Sequence, residues 1–513
     1  MLRICLKQGL PALIILALAA CARFPQYSHP AYEPHLQAPA PAAGSVLDTL
    51  LHQSDPQACG LVLLERGADA FSARLLLASE ARQSLDLQYY LFHNDLTGKL
   101  FAWMLLQAAD RGVRVRLLLD DMASSGSDDY IRLLNRHPNI HIRLFNPFER
   151  EYPREMQFIT RYGISTRRMH NKSMVADNLI AVVGGRNIGD EYFDAARNAV
   201  IFGDLDVLAA GPVVDDVSTS FDNYWNSELA VPAEVVLDDD PAQDKNGLES
   251  VRHWLEEWIA THAGHPYGKI LRQSTAQLTS NYQQLIHRGR AFVVADNPRK
   301  VTADHAVSPV LHNVVQLLDN ATDRVMLISP YFIPGGDTVQ YLASLVQRGV
   351  RVEVLTNSLA STDVPAVHSA YKQYRRALLK AGIILWELKP GAADPLKSHW
   401  LGSSSASLHA KAAIVDQQYL FIGSMNLDPR SAQQNTEMGM LIKQPQMAGD
   451  VSRVLVDNLP DYAYQLQLSG DRIEWLERRR NGNEKRYSSD PEASLWRQLQ
   501  SWVLGFMPLE SDL

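Results

Sequence analysis

Apolar and polar positions follow two alternating periods along most of the chain. Ser84 to Phe92 (SLDLQYYLF) reads as a strand. Asp95 to Asp110 follows a helical period, with Leu100, Phe101, Met104, Leu105 and Ala108 on one face. Gly112 ends that helix, and Val113 to Leu119 gives the next strand, which closes a parallel βαβ unit. The order then recurs. Arg324 to Phe332 (RVMLISPYF) is a strand and Asp337 to Gln347 a helix. Arg348-Gly349-Val350-Arg351-Val352 mirrors Arg111-Gly112-Val113-Arg114-Val115, 237 positions earlier. The chain therefore reads as a duplicated α/β layer structure.

Outside the repeated parts the pattern changes character. Arg3 and Lys7 precede a short apolar run, Leu10 to Ala20, which is too short to span a bilayer as a helix. Its ending, Leu18-Ala19-Ala20-Cys21, resembles the bacterial lipobox. That resemblance implies a signal peptide over 1–21, lipidation of Cys21 and a periplasmic, membrane-anchored protein. Ala22 stands where Asp would favour inner-membrane retention, so the outer membrane is expected over the inner. Residues 22–45 are rich in Pro and Ala without an apolar period and read as an extended tether. The first α/β domain is expected over 46–250 and the second over 251–513, with the junction within 235–265, where Asp238-Asp239-Asp240-Pro241 and the polar stretch after it break the pattern. Near the end, Leu495, Trp496, Leu499, Trp502, Val503 and Phe506 fall at helical spacing, which suits either an interfacial membrane helix or a helix docked on the body.

The 513 residues, 46% hydrophobic and 21% charged, suit two globular domains. A formal charge of −8 gives no general attraction to nucleic acid, and none is expected as a partner. Three cysteines (Cys5, Cys21, Cys59) build neither a disulfide framework nor a zinc site.

The chemistry lies in a motif present twice. His170, Lys172, Asp177, Gly184 and Asn187 recur as His409, Lys411, Asp416, Gly423 and Asn426, each pair separated by 239 residues. On a strand, the two-residue spacing of His and Lys puts both on one face. Asp177 and Asp416 fall at turns, and returning strands bring Gly184-Gly185 and Gly423-Ser424 beside the His-Lys segment. Asn187 and Asn426 can then offer amide donors to an oxyanion. Two imidazoles and two ammonium groups suit a phosphodiester held while one imidazole attacks and the other moves the proton. No metal or other cofactor is called for, since the lysines and asparagines carry the required charge and donors. The run Gly184 to Gly189 lacks the Lys-Ser/Thr of a phosphate loop.

Both copies match the signature of the phospholipase D superfamily: His-x-Lys, four residues, Asp, six residues, Gly-Gly/Ser-x-Asn. Over roughly residues 55–505 the chain also resembles cardiolipin synthase C-type phosphatidyltransferases. The segments that carry this are Leu85 to Tyr90, Arg114 to Asp121, Arg143 to Phe148, Asp204 to Val207, Leu355 to Leu359, Asp428 to Ser431 and Asn435 to Gly439. The resemblance implies two similar α/β/α sandwich domains related by a pseudo-twofold, with one active site at their interface. It implies His170 as nucleophile and His409 as acid and base, with Lys172, Lys411, Asn187 and Asn426 stabilising the transition state. It further implies Glu437 as the partner of His409, while Asp204 or Asp206 serves His170; Asp177 and Asp416 are expected to be structural. Phosphatidylethanolamine and phosphatidylglycerol are the implied lipid partners, with hydrolysis to phosphatidic acid and superfamily nuclease activity as rivals. No protein partner can be inferred.

Weaker signals remain. His368, Lys372, Arg375 and Arg376 are expected on one helix, Pro365 to Ala381, as a solvated face. His93, His305, His312 and His399 show no pairing pattern.

Overall fold

The computed structural model describes residues 30–40, 57–123, 127–160, 163–196, 201–237, 247–303, 307–390, 406–478 and 484–505. The signal segment with Cys21, the Asp238–Pro241 stretch, His305, His399 and Phe506 lie outside the described residues.

The first lobe holds β1 (Cys59–Leu64), β2 (Ser84–Tyr89), β3 (Arg114–Asp120), β4 (Ile140–Phe145), β5 (Ser173–Ala176), β6 (Ile180–Gly184), β7 (Ile201–Gly203), β8 (Asp206–Ala210) and β9 (Ala230–Pro232). The second holds β10 (His287–Ala295), β11 (Arg324–Ile328), β12 (Arg351–Asn357), β13 (Ile384–Leu388), β14 (Ala406–Leu408), β15 (Ala412–Val415), β16 (Tyr419–Gly423), β17 (Met438–Lys443), β18 (Ala463–Ser469), β19 (Arg472–Arg478) and β20 (Glu484–Tyr487). Pairing gives the order β1-β8-β6-β5-β2-β3-β4-β9 in one lobe. The other runs β10-β17-β16-β15-β11-β12-β13-β18, with β19 and β20 added at its edge. The two sheets thus repeat one topology, as the duplicated pattern anticipates. β2 and β3 pair in parallel around the helix Leu96–Asp110, which matches the expected βαβ unit.

The lobes meet where β1 lies antiparallel to β10, with Gly60 opposite Arg288. Behind that seam is one shared core. Val175, Val183 and Val207 of the first sheet join Ala412, Ile414, Ile422 and Met440 of the second, together with residues of the helices Val213–Trp225 and Pro445–Tyr462. Burying aliphatic side chains from both lobes in one cluster couples their positions, which the site requires.

Three expectations change. The helix Gly247–His262 straddles the expected 250/251 boundary and Pro266–Ser280 follows it, yet their Val251, Leu255, Tyr267 and Leu271 are buried in the first lobe's core. The chain passes to the second lobe only as β10 begins. Part of the expected tether is also docked. Glu33 accepts from Trp225 Nε1 at 2.8 Å, its carbonyl accepts from Arg116 at 2.9 Å, and His35 Nδ1 lies 2.8 Å from Asp222. Buried Arg116 is already held by Asp86 and Asp222, so residues 33–35 complete a charged cluster that composition alone cannot reveal. Finally, the expected helix at His368 is two helices, Pro365–Lys372 and Arg375–Lys380. His368 is buried, not a surface histidine, and Arg375 donates to it at 2.8 Å while also binding Glu387 and Asp490.

Candidate active site

Each motif sits on the same local scaffold. Asp177 and Asp416 adopt left-handed backbone at φ 54° and 52°, a region Asp tolerates because its short side chain bonds locally. Asp177 accepts backbone N–H bonds from Arg82, Gln83 and Ser84 at 2.7–2.9 Å. Asp416 does the same for Thr322, Asp323 and Arg324, each at 2.9 Å. Each aspartate therefore locks the hairpin carrying its motif to the start of the neighbouring strand, β2 or β11. The hairpins β5–β6 and β15–β16 follow, and the His-Lys pairs lie in the segments leading into β5 and β15, just ahead of the strands themselves.

Backbone pairing across the seam then places the histidines. His170 N donates to Thr436 O at 2.9 Å, and His409 N donates to Gly203 O at 2.8 Å. Short parallel pairing of β7 with β14 sets the second of these contacts. The residue after each carbonyl is the acid. Glu437 Oε2 lies 3.0 Å from His170 Nδ1, and Asp204 Oδ2 lies 2.5 Å from His409 Nδ1. The acids therefore cross between lobes, which corrects the expected pairing of Glu437 with His409 and of Asp204 or Asp206 with His170. Asp206 is not at the histidines at all; it forms a buried ion pair with Arg74 at 2.9 Å and lies 3.5 Å from Arg186.

The seats of the two acids differ. A Cβ on Gly185 would lie 2.2 Å from Asp204 Oδ1, so only glycine leaves room for that carboxylate. In the other lobe Ser424 occupies the equivalent place, and its hydroxyl donates to Glu437 Oε2. Asp204 instead accepts from Leu205 N at 2.8 Å.

His170 and His409 open onto one cavity of about 440 Å³, lined also by Tyr90, Asn187, Tyr192, Phe202, Tyr331, Asn426, Asp428 and Arg430. Tyr90 meets His170 edge-on at 5.2 Å; Tyr192 meets His409 at 5.2 Å and Phe202 lies at 4.9 Å. These aromatic walls were not singled out by the motif, although Tyr90 lies in the quoted Leu85–Tyr90 segment. Lys172 Nζ donates to the carbonyl of His170 at 2.5 Å, and Lys411 reaches both the carbonyl and Nδ1 of His409. Asn187 is turned from its expected duty: its amide donates to Tyr192 Oη at 2.9 Å and its oxygen accepts from Leu91 N. Asn426 lines the cavity with its Oδ1 unpartnered among the described residues.

Electrostatics follow from burial of four basic groups together. Burial pulls the His170 imidazole down to about 4 against the opposing pull of Glu437. His409 is held well below its usual range by burial and by Lys411 and Lys172. Burial drives Lys172 well down and Lys411 to about 8. Asp204 is pushed up by burial, whereas His170 and Lys172 keep Glu437 below its ordinary value. Asp428, which lines the cavity, is pushed up to about 7 by burial. A phosphodiester anion bound among these four groups would favour their protonated forms. Each imidazole is held through Nδ1, which directs Nε2 toward the cavity.

Known proteins resemble this chain along most of its length. The family described as "Cardiolipin synthase, PLD-like domain" matches residues 76–225 and 314–457, one segment in each lobe. Cardiolipin synthase C of Escherichia coli is 38% identical over 464 residues, which cover 89% of this chain and 96% of that protein. Cardiolipin synthase A of Pseudomonas putida is 27% identical, covering 77% of this chain and 67% of that one. The fold resembles the crystal structure of phosphatidylserine synthase from Haemophilus influenzae, with TM-score 0.54 and 15% identity over 79% of this chain and 87% of that chain. With both halves matched and both motifs meeting at one cavity, the chain belongs to the cardiolipin synthase family with phospholipase D-like domains.

Proposed function

We propose that this enzyme of phospholipid transfer moves a phosphatidyl group from a glycerophospholipid to phosphatidylglycerol through a phosphohistidine, making cardiolipin. The observation that carries the reading is the pair of imidazoles on one cavity, each with Nδ1 on a carboxylate of the opposite lobe. His170 Nε2 attacks phosphorus, the bond to the head-group oxygen breaks, and His409 supplies the proton that oxygen needs. His409 then removes the proton of the acceptor hydroxyl; that oxygen attacks phosphorus and releases His170. Lys172 and Lys411 give fixed positive charge to the pentacovalent state, and Asn426 faces the same space. Phosphatidylethanolamine or a second phosphatidylglycerol is the donor that the family resemblance of the sequence implies. Asn187 acts by fixing Tyr192 beside His409.

Lipidation at Cys21 would anchor the enzyme on the periplasmic side, in the outer membrane by the sequence argument. Among the described residues no helix is long and apolar enough to cross a membrane. Purified protein given labelled phosphatidylethanolamine and phosphatidylglycerol tests the reading. Cardiolipin is the expected product, and loss of it is expected in His170→Ala and His409→Ala. Phosphatidic acid alone would make the enzyme a hydrolase and refute the transfer.

A further inference from the structure

The C-terminal helix Leu495–Leu504 is turned inside out for a helix that rests on a protein. Its inward side is polar. Arg497 donates to the carbonyls of Leu359 at 2.9 Å and Thr362 at 2.7 Å. The carbonyl of buried Ser501 accepts from Ser369 Oγ at 2.6 Å and from Lys372 Nζ at 3.2 Å. The outward side carries Leu495, Trp496, Leu499, Trp502 and Val503, which are 84, 65, 49, 59 and 41% exposed. Their spacing of i, i+1, i+4, i+7 and i+8 makes one stripe. Amphipathic helices of soluble domains bury such a stripe and leave the polar side wet; here the order is reversed.

The place of the stripe matters as much as its polarity. Arg497 grips the segment 359–362, which runs directly into Asp363, Val364 and Val367 of the cavity lining. Ser501 is held by the helix Pro365–Lys372, which contributes Val367 to the same lining. The helix is therefore braced on the rim of the active site.

We propose that this stripe inserts into the head-group and upper acyl region of a phospholipid bilayer and seats the cavity mouth on that surface. The inference rests on the phospholipid reading above for its purpose, though not for its geometry. Two exposed tryptophans beside leucine and valine match the preference of indole for the membrane boundary. A ten-residue helix is about 15 Å long. Five side chains on so short a helix fall short of the roughly 800 Å² per partner that a stable protein interface buries, which disfavours a second copy held by the stripe alone. A scissile phosphate at the level of lipid head groups must also enter from a surface held close to the mouth.

The test uses the full chain on vesicles of phosphatidylglycerol and phosphatidylethanolamine carrying acyl-brominated lipid, read by tryptophan fluorescence. Quenching of part of the emission is expected in the wild type, and loss of that part in Trp496→Phe/Trp502→Phe. Because ring depth is read, attachment elsewhere in the chain does not mimic the result. Equal quenching in the two proteins would overturn the proposal. Leu499→Glu, an exposed and non-catalytic change, is expected to lower turnover of vesicle lipid at least about tenfold while leaving turnover of a monomeric short-chain phospholipid unaltered. Equal loss on both substrates, or on neither, also overturns it. A concentration-dependent dimer that Leu499→Glu disperses would assign the stripe to a second copy instead. Should the wild type turn over no phospholipid in either form, the functional reading fails, while the quenching still judges the helix.

Discussion

Exchanging one oxygen for an amide at Glu437 separates the crossed arrangement from the uncrossed one. Glu437→Gln keeps size and the Ser424 contact but removes the charge 3.0 Å from His170 Nδ1. Glu437 is fully buried and His170 only 12% exposed, so solvent screens little of that interaction. A hydrogen bond to a charged group contributes about 1.5–3 kcal/mol, or roughly 10- to 150-fold in rate. Asp204→Asn removes the corresponding charge beside His409, with a loss of the same order expected on a natural head group. A nitrophenyl phosphodiester distinguishes the two, because its leaving group departs without a proton. If Glu437 serves the nucleophile and Asp204 the acid, the burst of nitrophenol stays slow in Glu437→Gln and recovers in Asp204→Asn. Stopped-flow absorbance reads that burst directly. Recovery in Glu437→Gln with persistent loss in Asp204→Asn would refute the assignment of roles across the seam.

Since burial lowers the folded-state value of His170 to about 4 from 6.5, the unfolded chain binds more protons between those values. Stability is accordingly complete above about pH 6.5 and falls as acid approaches 4, and the slope of Tm against pH in that window should shrink in His170→Gln. Asp177→Ala strands three backbone N–H groups and should lower the chemical denaturation free energy by about 2 kcal/mol or more. Gly185→Ser copies the residue of the other lobe, yet its Cβ would strike Asp204; overpacking of about 1–3 kcal/mol is expected, with activity lost beyond the fall in Tm.

The duplication, the βαβ units and both motifs are legible in the sequence because each is local: a period, a turn residue or a short spacing. The partners of the histidines are not. Asp204 and Glu437 are 233 residues apart by subtraction, against 239 for the histidines, so spacing alone does not mark them as equivalent. Chain proximity joins each acid to its own lobe, whereas a three-residue parallel pairing of β7 with β14 sends Asp204 to the other. Docking of Glu33 on Trp225 is hidden for a related reason, since a Pro/Ala-rich stretch shows no period even when two of its side chains are anchored. The C-terminal helix was legible as amphipathic, but which side faces the body depends on Arg497 and Ser501 finding carbonyl and hydroxyl partners more than 120 residues away.

The exchange of carboxylates across the seam also bears on inheritance. A half-length chain with this geometry would hold a histidine without its counter-charge and an acid with nothing to orient. It would become competent only by meeting a second copy of itself, each lending the other a carboxylate. Once two copies are joined in one chain, neither is a spare. A lesion in the acid of one half disables the imidazole of the other, so the repeats are free to differ in walls and edges but not to let one of them fall silent.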